Sequence, residues 1–453
     1  DYLTVTVLAP IPGCPPGGIV WIGGDGNWSD AANWTSDPTL PGPADDVCIP
    51  SGVTVTVDTD AEVNSVLSLG ELNVPAGSEL TLNAASETSV LTLLGNIAGP
   101  GELTIVDSGD WSEGWVKGVL RVDNAATFLI TGNALKDLSG ALTNDGTVTQ
   151  SGRLDLYADA TNGLVTNNGT WELEDSAALT FETSVGVSRG SIVNNGLLQR
   201  VNGSAPNVRA IVLADVVNNG VIDAADGWLW LYSVSELNDG SNVNVAAGSE
   251  LTVRPVGPNH ALPTAFGNST LTGDGQLDWH LADLTLTSGS VVDAAATSLN
   301  LQADVSGDGL LSISGTTLWT YGTISAASEI TPTGTLSIRG DNGQALLGAV
   351  SNDGTVSQEV PVSLSEGGVA ATITNNATWR LYTAPIFTPV YGTLLTGDLA
   401  APATFINNAT LERSNDRDPD TEVLIGPGVN VESNGTIWVD DGTFTIESVS
   451  VLD

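Results

Sequence analysis

An acidic stretch late in the chain offers the residue types that metal chemistry would need. Asp416, Asp418 and Asp420 stand at alternate positions, and Glu422 follows them. Carboxylate oxygens at alternate positions of a loop suit Ca²⁺, although this stretch lacks the later Gly and Glu of the common calcium loop. Residues 58–62 carry a weaker version of the pattern. Ca²⁺ is therefore the one candidate cofactor, and an acidic corner facing solvent is the alternative interpretation.

Acid–base and nucleophilic catalysis have little support in the sequence. A glycosidase needs two carboxylates about 5–9.5 Å apart, and among 53 acidic residues such pairs arise by chance. The histidines, His260 and His280, do not stand beside a Ser or Cys nucleophile pattern. We therefore expect no catalytic residues and a protein that is not an enzyme, with a polysaccharide lyase or hydrolase as the second alternative function.

A repeated turn indicates the elements that would position any functional group. Asn-Asn-Gly, Asn-Asp-Gly or a close variant recurs every 23 to 32 residues within each half of the chain, and each copy precedes alternating apolar and polar residues. Gly adopts positive φ without steric cost, and Asn and Asp tolerate the left-handed region. A turn and strand repeating at such a period are typical of a solenoid whose coils pair with their neighbours. The asparagines that we expect to stack as an internal amide ladder are Asn144, Asn167, Asn194, Asn218, Asn352, Asn375 and Asn407.

A longer repeat indicates a tandem duplication. Residues 99–105 resemble residues 307–313 at an offset of 208, and Trp171 matches Trp379 at the same offset. The predicted fold is all-β, a right-handed parallel β-helix with almost no α-helix. The predicted parts are an N-terminal strand and Pro-rich arm at 1–18, a Trp/Gly-rich cap at 19–52, and two solenoid halves at 53–238 and 239–453.

Composition limits the partners and the compartment. The net charge is −41, from 53 acidic residues against 12 Lys and Arg, which argues against nucleic acid and against anionic membranes. No run of about 20 apolar residues is present to span a bilayer. The chain starts at Asp1 and contains no Met, so we expect a processed, exported form located outside the cell or on its surface.

Cys14 and Cys48 are the only cysteines. In an exported protein we expect them to form a disulfide, which would close a loop of about 33 residues and stabilise the fold by roughly 3–4 kcal/mol. Two separate buried thiols are the alternative.

Residues 19–58 carry a distinctive pattern that contains Trp21, Trp28 and Trp34. It reads W-x-G-G-x-G-x-W-S-D-x-x-N-W, followed by L-P-G-x-x-D-D-V-x-I-P. This pattern resembles the start of β-helical modules in large bacterial surface proteins, including autotransporter-like passengers and adhesin-like proteins. The resemblance implies export, a right-handed parallel β-helix and a role at the cell surface.

The same three tryptophans have two interpretations when the resemblance is set aside. Solenoids need caps, because an open end exposes apolar side chains and unpaired backbone groups. We therefore interpret Trp21, Trp28 and Trp34 as an aromatic cap over the first coil. An exposed platform on which sugars stack is the alternative.

The two ends of the chain suggest self-association. Alternating strands occupy residues 2–8 and 443–451, and an exposed strand edge invites pairing with another chain, as in donor-strand addition. Such a contact does not close on itself and builds a filament. The residues assigned to this assembly are Tyr2, Leu3, Val5, Val7, Phe444, Ile446, Val449 and Val451.

These observations predict a structural subunit of an extracellular fibre or surface layer whose partner is another copy of itself. An adhesin that binds a glycan or a host surface is the first alternative. The N-terminal strand could instead fold back to cap its own solenoid.

Overall fold

The computed structural model confirms an all-β fold built of parallel strands. It describes residues 11–156, 163–174, 177–180, 190–201, 208–254, 264–280, 282–340, 343–382, 392–414, 422–440 and 442–452. Within these ranges the one helical element is a 3₁₀ turn at Ala31–Asn33. No helix in the described part of the chain is long and apolar enough to cross a membrane.

The described residues form two compact units, each a parallel β-solenoid. The first holds the described residues up to Asp215, and the second holds those from Val216 onward. In each unit a coil contributes one strand to each of three rows, and a strand pairs in parallel with its counterparts in the coils before and after it.

The first unit begins with short strands and continues with long ones that serve two rows at once. Those long strands are Ser65–Val74, Ser86–Leu93 and Glu102–Trp111. The first row further contains Ile19–Val20, Asp46–Ile49, Val119–Val122, Ala141–Asn144, Leu164–Asn167 and Ser191–Asn194. The second row contains Gly26–Asn27, Thr54–Thr56, Thr127–Ile130, Thr147–Gln150, Thr170–Leu173 and Leu197–Arg200. The third row contains Ala61–Val63, Glu79–Leu82, Asn96–Ala98, Gly114–Val116, Lys136–Leu138, Arg153–Leu156, Ala178–Thr180 and Arg209–Val212.

The rows of the second unit are here called A, B and C. Row A begins with the strand Asp215–Asn218, whose first residue is counted in the first unit. Row A further contains Val234–Leu237, Thr264–Phe266, Leu284–Leu286, Val305–Gly307, Thr323–Ile324, Gln344–Leu346, Val362–Ser363, Gly392–Thr396, Glu422–Ile425 and Thr443–Ile446. Row B contains Val221–Ala224, Asn242–Val245, Ser269–Thr272, Val291–Ala294, Leu310–Ile313, Ala327–Ile330, Ala349–Asn352, Thr372–Asn375, Ala403–Asn407, Val429–Ser433 and Val449–Leu452. Row C contains Trp228–Leu231, Glu250–Val253, Gln276–His280, Ser298–Gln302, Thr316–Tyr321, Thr335–Ile338, Thr355–Gln358, Thr378–Tyr382, Thr410–Ser414 and Thr436–Val439. A short antiparallel pair, Ser365–Glu366 with Val369–Ala370, projects from one corner.

Alternation along each strand fills the interior. In Thr147–Gln150 the side chains of Val148 and Gln150 point inward and are fully buried, while the two threonines are half-buried. Val148 pairs in register with Trp171 of the next coil. Because strands with a period of two always send alternate residues to the same face, the coils stack their apolar residues into one continuous core within each unit.

The glycines of the repeated turn have a different role from the predicted one. Gly146, Gly169 and Gly354 do not adopt positive φ, so our prediction of a left-handed turn residue was wrong for them. A Cβ on Gly169 would lie 2.1 Å from the carbonyl oxygen of Gly146 in the preceding coil. Gly is therefore needed at position 169, because the two corners approach too closely there for a Cβ atom.

The predicted disulfide is present. Cys14 and Cys48 are bonded, with their Cα atoms 5.9 Å apart, and neither is a free cysteine. Cys48 lies within the strand Asp46–Ile49, which pairs with Ser65–Val74. The bond therefore fixes the segment around residue 14 to the solenoid.

Candidate functional site

An open groove on the outer surface of row C in the second unit is the candidate site among the described residues. Its volume is about 380 Å³. Strands at the same level of four successive coils supply part of its wall, because Trp228, Glu250, Gln276 and Ser298 are in-register neighbours. The residues that line it are Trp228, Gly248, Ser249, Glu250, Asp274, Gly275, Gln276 and Ser298.

Strict alternation brings aromatic side chains to this surface. In the strand Trp228–Leu231, Leu229 and Leu231 are buried in the core, so Trp228 and Trp230 point outward and are half-buried. Tyr232 continues the outward series, and its ring centroid lies 6.2 Å from that of Trp230. Successive outward residues of a strand are about 6.6 Å apart, so the three rings form a row along the strand.

Polar groups beside the rings hold one another in place. The hydroxyl of Thr252 donates a hydrogen bond of 3.0 Å to Oε1 of Glu250. The amide of Gln276 donates a bond of 2.8 Å to Oδ2 of Asp278. Asp278 is only 8% exposed, and its Oδ1 accepts no hydrogen bond in the part of the chain that the structure describes. The described residues that line the groove include two acids, Glu250 and Asp274, but no Lys, Arg or His.

The predicted internal amide ladder exists in the first unit. Asn144 Nδ2 donates to Oδ1 of Asn167 at 2.7 Å, and Asn167 Nδ2 donates to Oδ1 of Asn194 at 2.7 Å. Each Nδ2 also donates to a backbone carbonyl of the next coil, Thr170 for Asn144 and Leu197 for Asn167. All three asparagines are fully buried, so the ladder holds coils together and presents no chemistry at the surface.

The second unit contains an equivalent ladder with the same geometry. Asn352 donates to Asn375 at 2.7 Å, and Asn375 donates to Asn407 at 2.8 Å. Asn407 then donates to the hydroxyl of Ser433 at 3.0 Å. Asn218 does not belong to this ladder, because it ends a strand of row A whereas Asn352 ends a strand of row B. The repeated turn therefore occupies different corners within the second unit.

A second, exposed ladder runs outside the first. In the first unit Asn168 donates to Asp145 at 2.7 Å, and Asn195 donates to Asn168 at 2.7 Å. The second unit repeats this arrangement, with Asn376 donating to Asp353 and Asn408 donating to Asn376. An ionised Asp can only accept hydrogen bonds. Asp is therefore suited to the first position of each outer ladder, where the next coil donates to it.

The duplication also preserves other buried polar contacts. Trp171 Nε1 donates to Gln150 Oε1 at 3.1 Å, and Trp379 Nε1 donates to Gln358 Oε1 at the same distance. Lys136, which is fully buried, donates to the carbonyl oxygens of Ser112, Gly132 and Ala134. Its counterpart 208 residues later is Gln344, which donates to the carbonyl oxygens of Thr320 and Arg339. These matching residues face the interior, so this part of the duplication preserves packing.

Replacing Lys136 with Gln is expected to preserve the stability of the fold at pH 7 to within about 1 kcal/mol, because Gln344 donates to two backbone carbonyls from the equivalent position. Replacing it with Leu should cost about 1–3 kcal/mol, because buried carbonyl groups lose their donor. Urea unfolding of the two variants measures the difference. Equal destabilisation by Gln and Leu would contradict the equivalence of positions 136 and 344.

The two variants also differ from the parent in their response to pH. Burial lowers the pKa of Lys136 from its ordinary 10.5, and the nearby Asp110, Asp155 and Glu113 only partly oppose that effect. At a pH between the lowered pKa and 10.5, the unfolded chain therefore binds a proton at this lysine that the folded chain does not bind. The contribution of Lys136 to the free energy of unfolding should therefore rise with pH over this range. We expect Lys136→Gln to lose this alkaline rise, which unfolding curves measured at pH 7 and near pH 10 would detect.

The three tryptophans near the N-terminus form a buried cluster. Trp21, Trp28 and Trp34 are at most 1% exposed, and Trp34 makes edge contacts with Trp21 and Trp28, with ring centroids 4.8 and 4.7 Å apart. The adjoining strands Ile19–Val20 and Gly26–Asn27 pair with strands of the first coil. Rings this deeply buried cannot stack on a sugar, which removes the alternative of an exposed platform.

The predicted calcium ligands Asp416, Asp418 and Asp420 lie outside the described residues. Within the described ranges, no group of three or more His, Cys, Asp or Glu side chains is arranged to hold a metal ion. The weaker acidic pattern is engaged in hydrogen bonds. Asp58 accepts two bonds from Ser29, and Asp60 accepts one from the backbone of Glu79.

The residues assigned to assembly are only partly described. Tyr2, Leu3, Val5 and Val7 lie outside the described residues, as do the side chains of Val449 and Val451. Phe444 and Ile446 are half-buried. They pair in register with Val423 and Ile425, which are fully buried.

The groove on row C was not predicted from the sequence. The signal was the segment Trp-Leu-Trp-Leu-Tyr at residues 228–232, in which every aromatic residue has the opposite parity from the leucines. A strand with this pattern must present its rings to the outside once the leucines are buried. The neighbours of those rings could not be identified from sequence, because they come from other coils.

No protein-family model, no curated protein and no solved structure matches this chain.

Proposed function

We propose that this chain is a non-enzymatic structural protein of the cell exterior, a subunit of a fibre or surface layer. The observation that carries the proposal is the use made of its repeated polar residues. Asn167 and Asn375, at equivalent places in two ladders, are fully buried and bonded to the asparagines of adjacent coils. Buried side chains that bond one coil to the next strengthen a solenoid, and this use of the inner asparagines supports a structural role.

Three further features support an extracellular location. The Cys14–Cys48 disulfide is of a kind that persists in oxidising compartments. The net charge of −41 keeps a surface protein soluble and separates it from nucleic acid. The Trp-rich pattern at residues 19–58 resembles modules of bacterial surface proteins.

An apolar edge in the second unit supports assembly from copies of the chain. Ile437, Phe444 and Ile446 occupy interior positions but are only half-buried, whereas Leu411, which pairs with Ile437, is fully buried. Val439 at the same level is 43% exposed. A further coil stacked on this edge would bury these side chains and pair their strands, and in the proposed assembly a second copy supplies that coil.

Sedimentation velocity over a range of protein concentrations tests this assignment. We expect the wild-type chain to form larger species as its concentration rises, and Phe444→Asp to weaken association at least tenfold by placing a charge in the contact. Leu135→Asp is the matched control, since Leu135 is an exposed leucine, at 53%, in the first unit. A wild-type chain that stays monomeric at all concentrations, or a Phe444→Asp variant that assembles normally, would refute the assignment.

Deleting residues 1–12 then identifies the strand that pairs with the edge. If residues 2–8 of a neighbouring copy supply it, the shortened chain should remain monomeric. Assembly that survives the deletion would exclude the donor strand. Circular dichroism should first show that the shortened chain retains its β-structure.

A further inference from the structure

We propose that the groove on row C binds a neutral saccharide chain. This function goes beyond the structural role proposed above, because it assigns a ligand to the outer surface of the second unit. The site consists of Trp228 as the stacking surface, with Glu250, Gln276, Asp274 and Ser298 as the groups that bind hydroxyls.

The aromatic ring supplies the first requirement of such a site. Trp228 lines the groove and is half-buried, so its ring is fixed by packing while part of it stays accessible. Aromatic rings combine a large apolar face with little conformational freedom. The carbon–hydrogen face of a pyranose can pack flat against such a ring. Trp230 and Tyr232 extend the aromatic row in the direction of the strand.

Hydrogen-bonding groups around the ring supply the second requirement. Glu250 and Gln276 follow Trp228 in the next two coils, in register, and Ser298 follows in the third. Strand spacing places these side chains at steps of about 4.8 Å. Carboxylate, amide and hydroxyl groups together offer both donors and acceptors. A ligand with hydroxyl groups along its length can use all of them.

Two of these groups are held in place by neighbours. Glu250 accepts a hydrogen bond from the hydroxyl of Thr252, and the amide of Gln276 donates one to the buried carboxylate of Asp278. Ordered side chains lose less conformational entropy when a ligand binds. The groove is therefore already arranged for a polar ligand.

Charge selects among saccharides. Glu250 and Asp274 contribute negative charge to the groove, and the described lining includes no cationic side chain. The whole chain carries a net charge of −41. A uronic acid or sulfate group would be repelled and would find no Arg or Lys partner. Neutral hexoses and N-acetylated sugars meet no such penalty.

Size and lining argue against other ligands. The volume of about 380 Å³ is within the range of small-molecule sites. Its described lining contains one aromatic residue and no aliphatic side chain, so the groove offers an apolar peptide anchor little surface to bury against. An extended saccharide needs only a ring to stack on and polar groups beside it.

Isothermal titration calorimetry with defined hexasaccharides tests the proposal. The panel contains cellohexaose, maltohexaose, mannohexaose and N-acetylated chitohexaose as neutral probes, with hexagalacturonate as the anionic comparison. We expect at least one neutral probe to bind and hexagalacturonate to show no binding. Trp228→Ala should weaken the binding of that probe at least tenfold, about 1.4 kcal/mol.

Two other variants keep the test decisive. Glu250→Gln preserves the shape of the side chain and should weaken binding by several-fold, and it serves in place of Trp228→Ala if that variant fails to fold. Trp115→Ala removes a tryptophan that is 45% exposed in the first unit and should bind as the parent does. The proposal is overturned if no neutral probe binds, if hexagalacturonate binds more tightly, or if both groove variants bind normally.

Discussion

Replacing Asn167 with Ala is expected to lower the free energy of unfolding of the first unit by about 3–5 kcal/mol. Asn167 Nδ2 donates to Asn194 at 2.7 Å and to the carbonyl of Leu197 at 3.0 Å, and its Oδ1 accepts from Asn144. The substitution leaves partners in two coils without their bond in a fully buried place. Each buried polar group that loses its partner costs about 1–3 kcal/mol.

The adjacent residue provides a matched control. Asn168 makes two equivalent side-chain bonds, with Asp145 and Asn195, but it is exposed. Water replaces those bonds when Asn168 is changed to Ala, so we expect a loss below about 1 kcal/mol. The two variants remove the same chemical group from neighbouring positions and differ in burial.

Hydrogen exchange is the appropriate measurement, because solenoids can unfold in parts rather than in one step. Faster exchange should appear first in the strands Leu164–Asn167 and Ser191–Asn194, on either side of the broken bond. Asn375→Ala should have the same effect on the equivalent strands of the second unit. Similar exchange in Asn167→Ala and Asn168→Ala would show that the inner ladder contributes no more than the outer one.

The inward orientation of the ladder was predictable from parity alone. In Ala141–Asn144 the residues Leu142 and Asn144 are two apart, so burying the leucine also buries the asparagine. A buried amide needs partners, and the asparagines at the same position in adjacent coils can supply them. The first copies of the turn, with Asp145 and Asp353, also indicated where each outer ladder begins, since an ionised Asp cannot donate to a preceding coil.

The position of each ladder around the solenoid was not predictable. The row that a strand joins depends on the summed lengths of all the corners before it, and one additional strand shifts every later one to the next row. Asn218 and Asn352 illustrate this, because the same turn ends strands in row A and in row B. The need for glycine at position 169 was not predictable either, because it depends on the carbonyl oxygen of Gly146 in another coil.

Replacing Trp34 with Ala should destabilise the N-terminal part of the first unit by about 3–5 kcal/mol. Its ring is fully buried between those of Trp21 and Trp28, and its Nε1 donates to the backbone carbonyl of Trp28 at 2.9 Å. The change would therefore remove packing on two sides and leave a buried carbonyl without its donor. Trp115→Ala is the control, since Trp115 is 45% exposed and its ring centroid lies 4.8 Å from Nζ of Lys117. This change should cost about 1 kcal/mol or less.

The glycines of the N-terminal pattern explain why the structure around Trp34 should relax little when the ring is removed. A Cβ on Gly23 would lie 2.4 Å from Oδ1 of Asn33, and one on Gly26 would lie 3.1 Å from its Nδ2. The side chain of Asn33 therefore fills the space that these glycines leave, next to Trp34, and the cavity left by Trp34→Ala has little freedom to collapse.

Near-ultraviolet circular dichroism of Trp34→Ala should lose part of its tryptophan signal, and hydrogen exchange should accelerate in Asp46–Ile49 and Thr54–Thr56, which pair with the strands beside the cluster. Unchanged exchange in those two strands would mean that the cluster folds without supporting the first coil, and its interpretation as a cap would then be wrong.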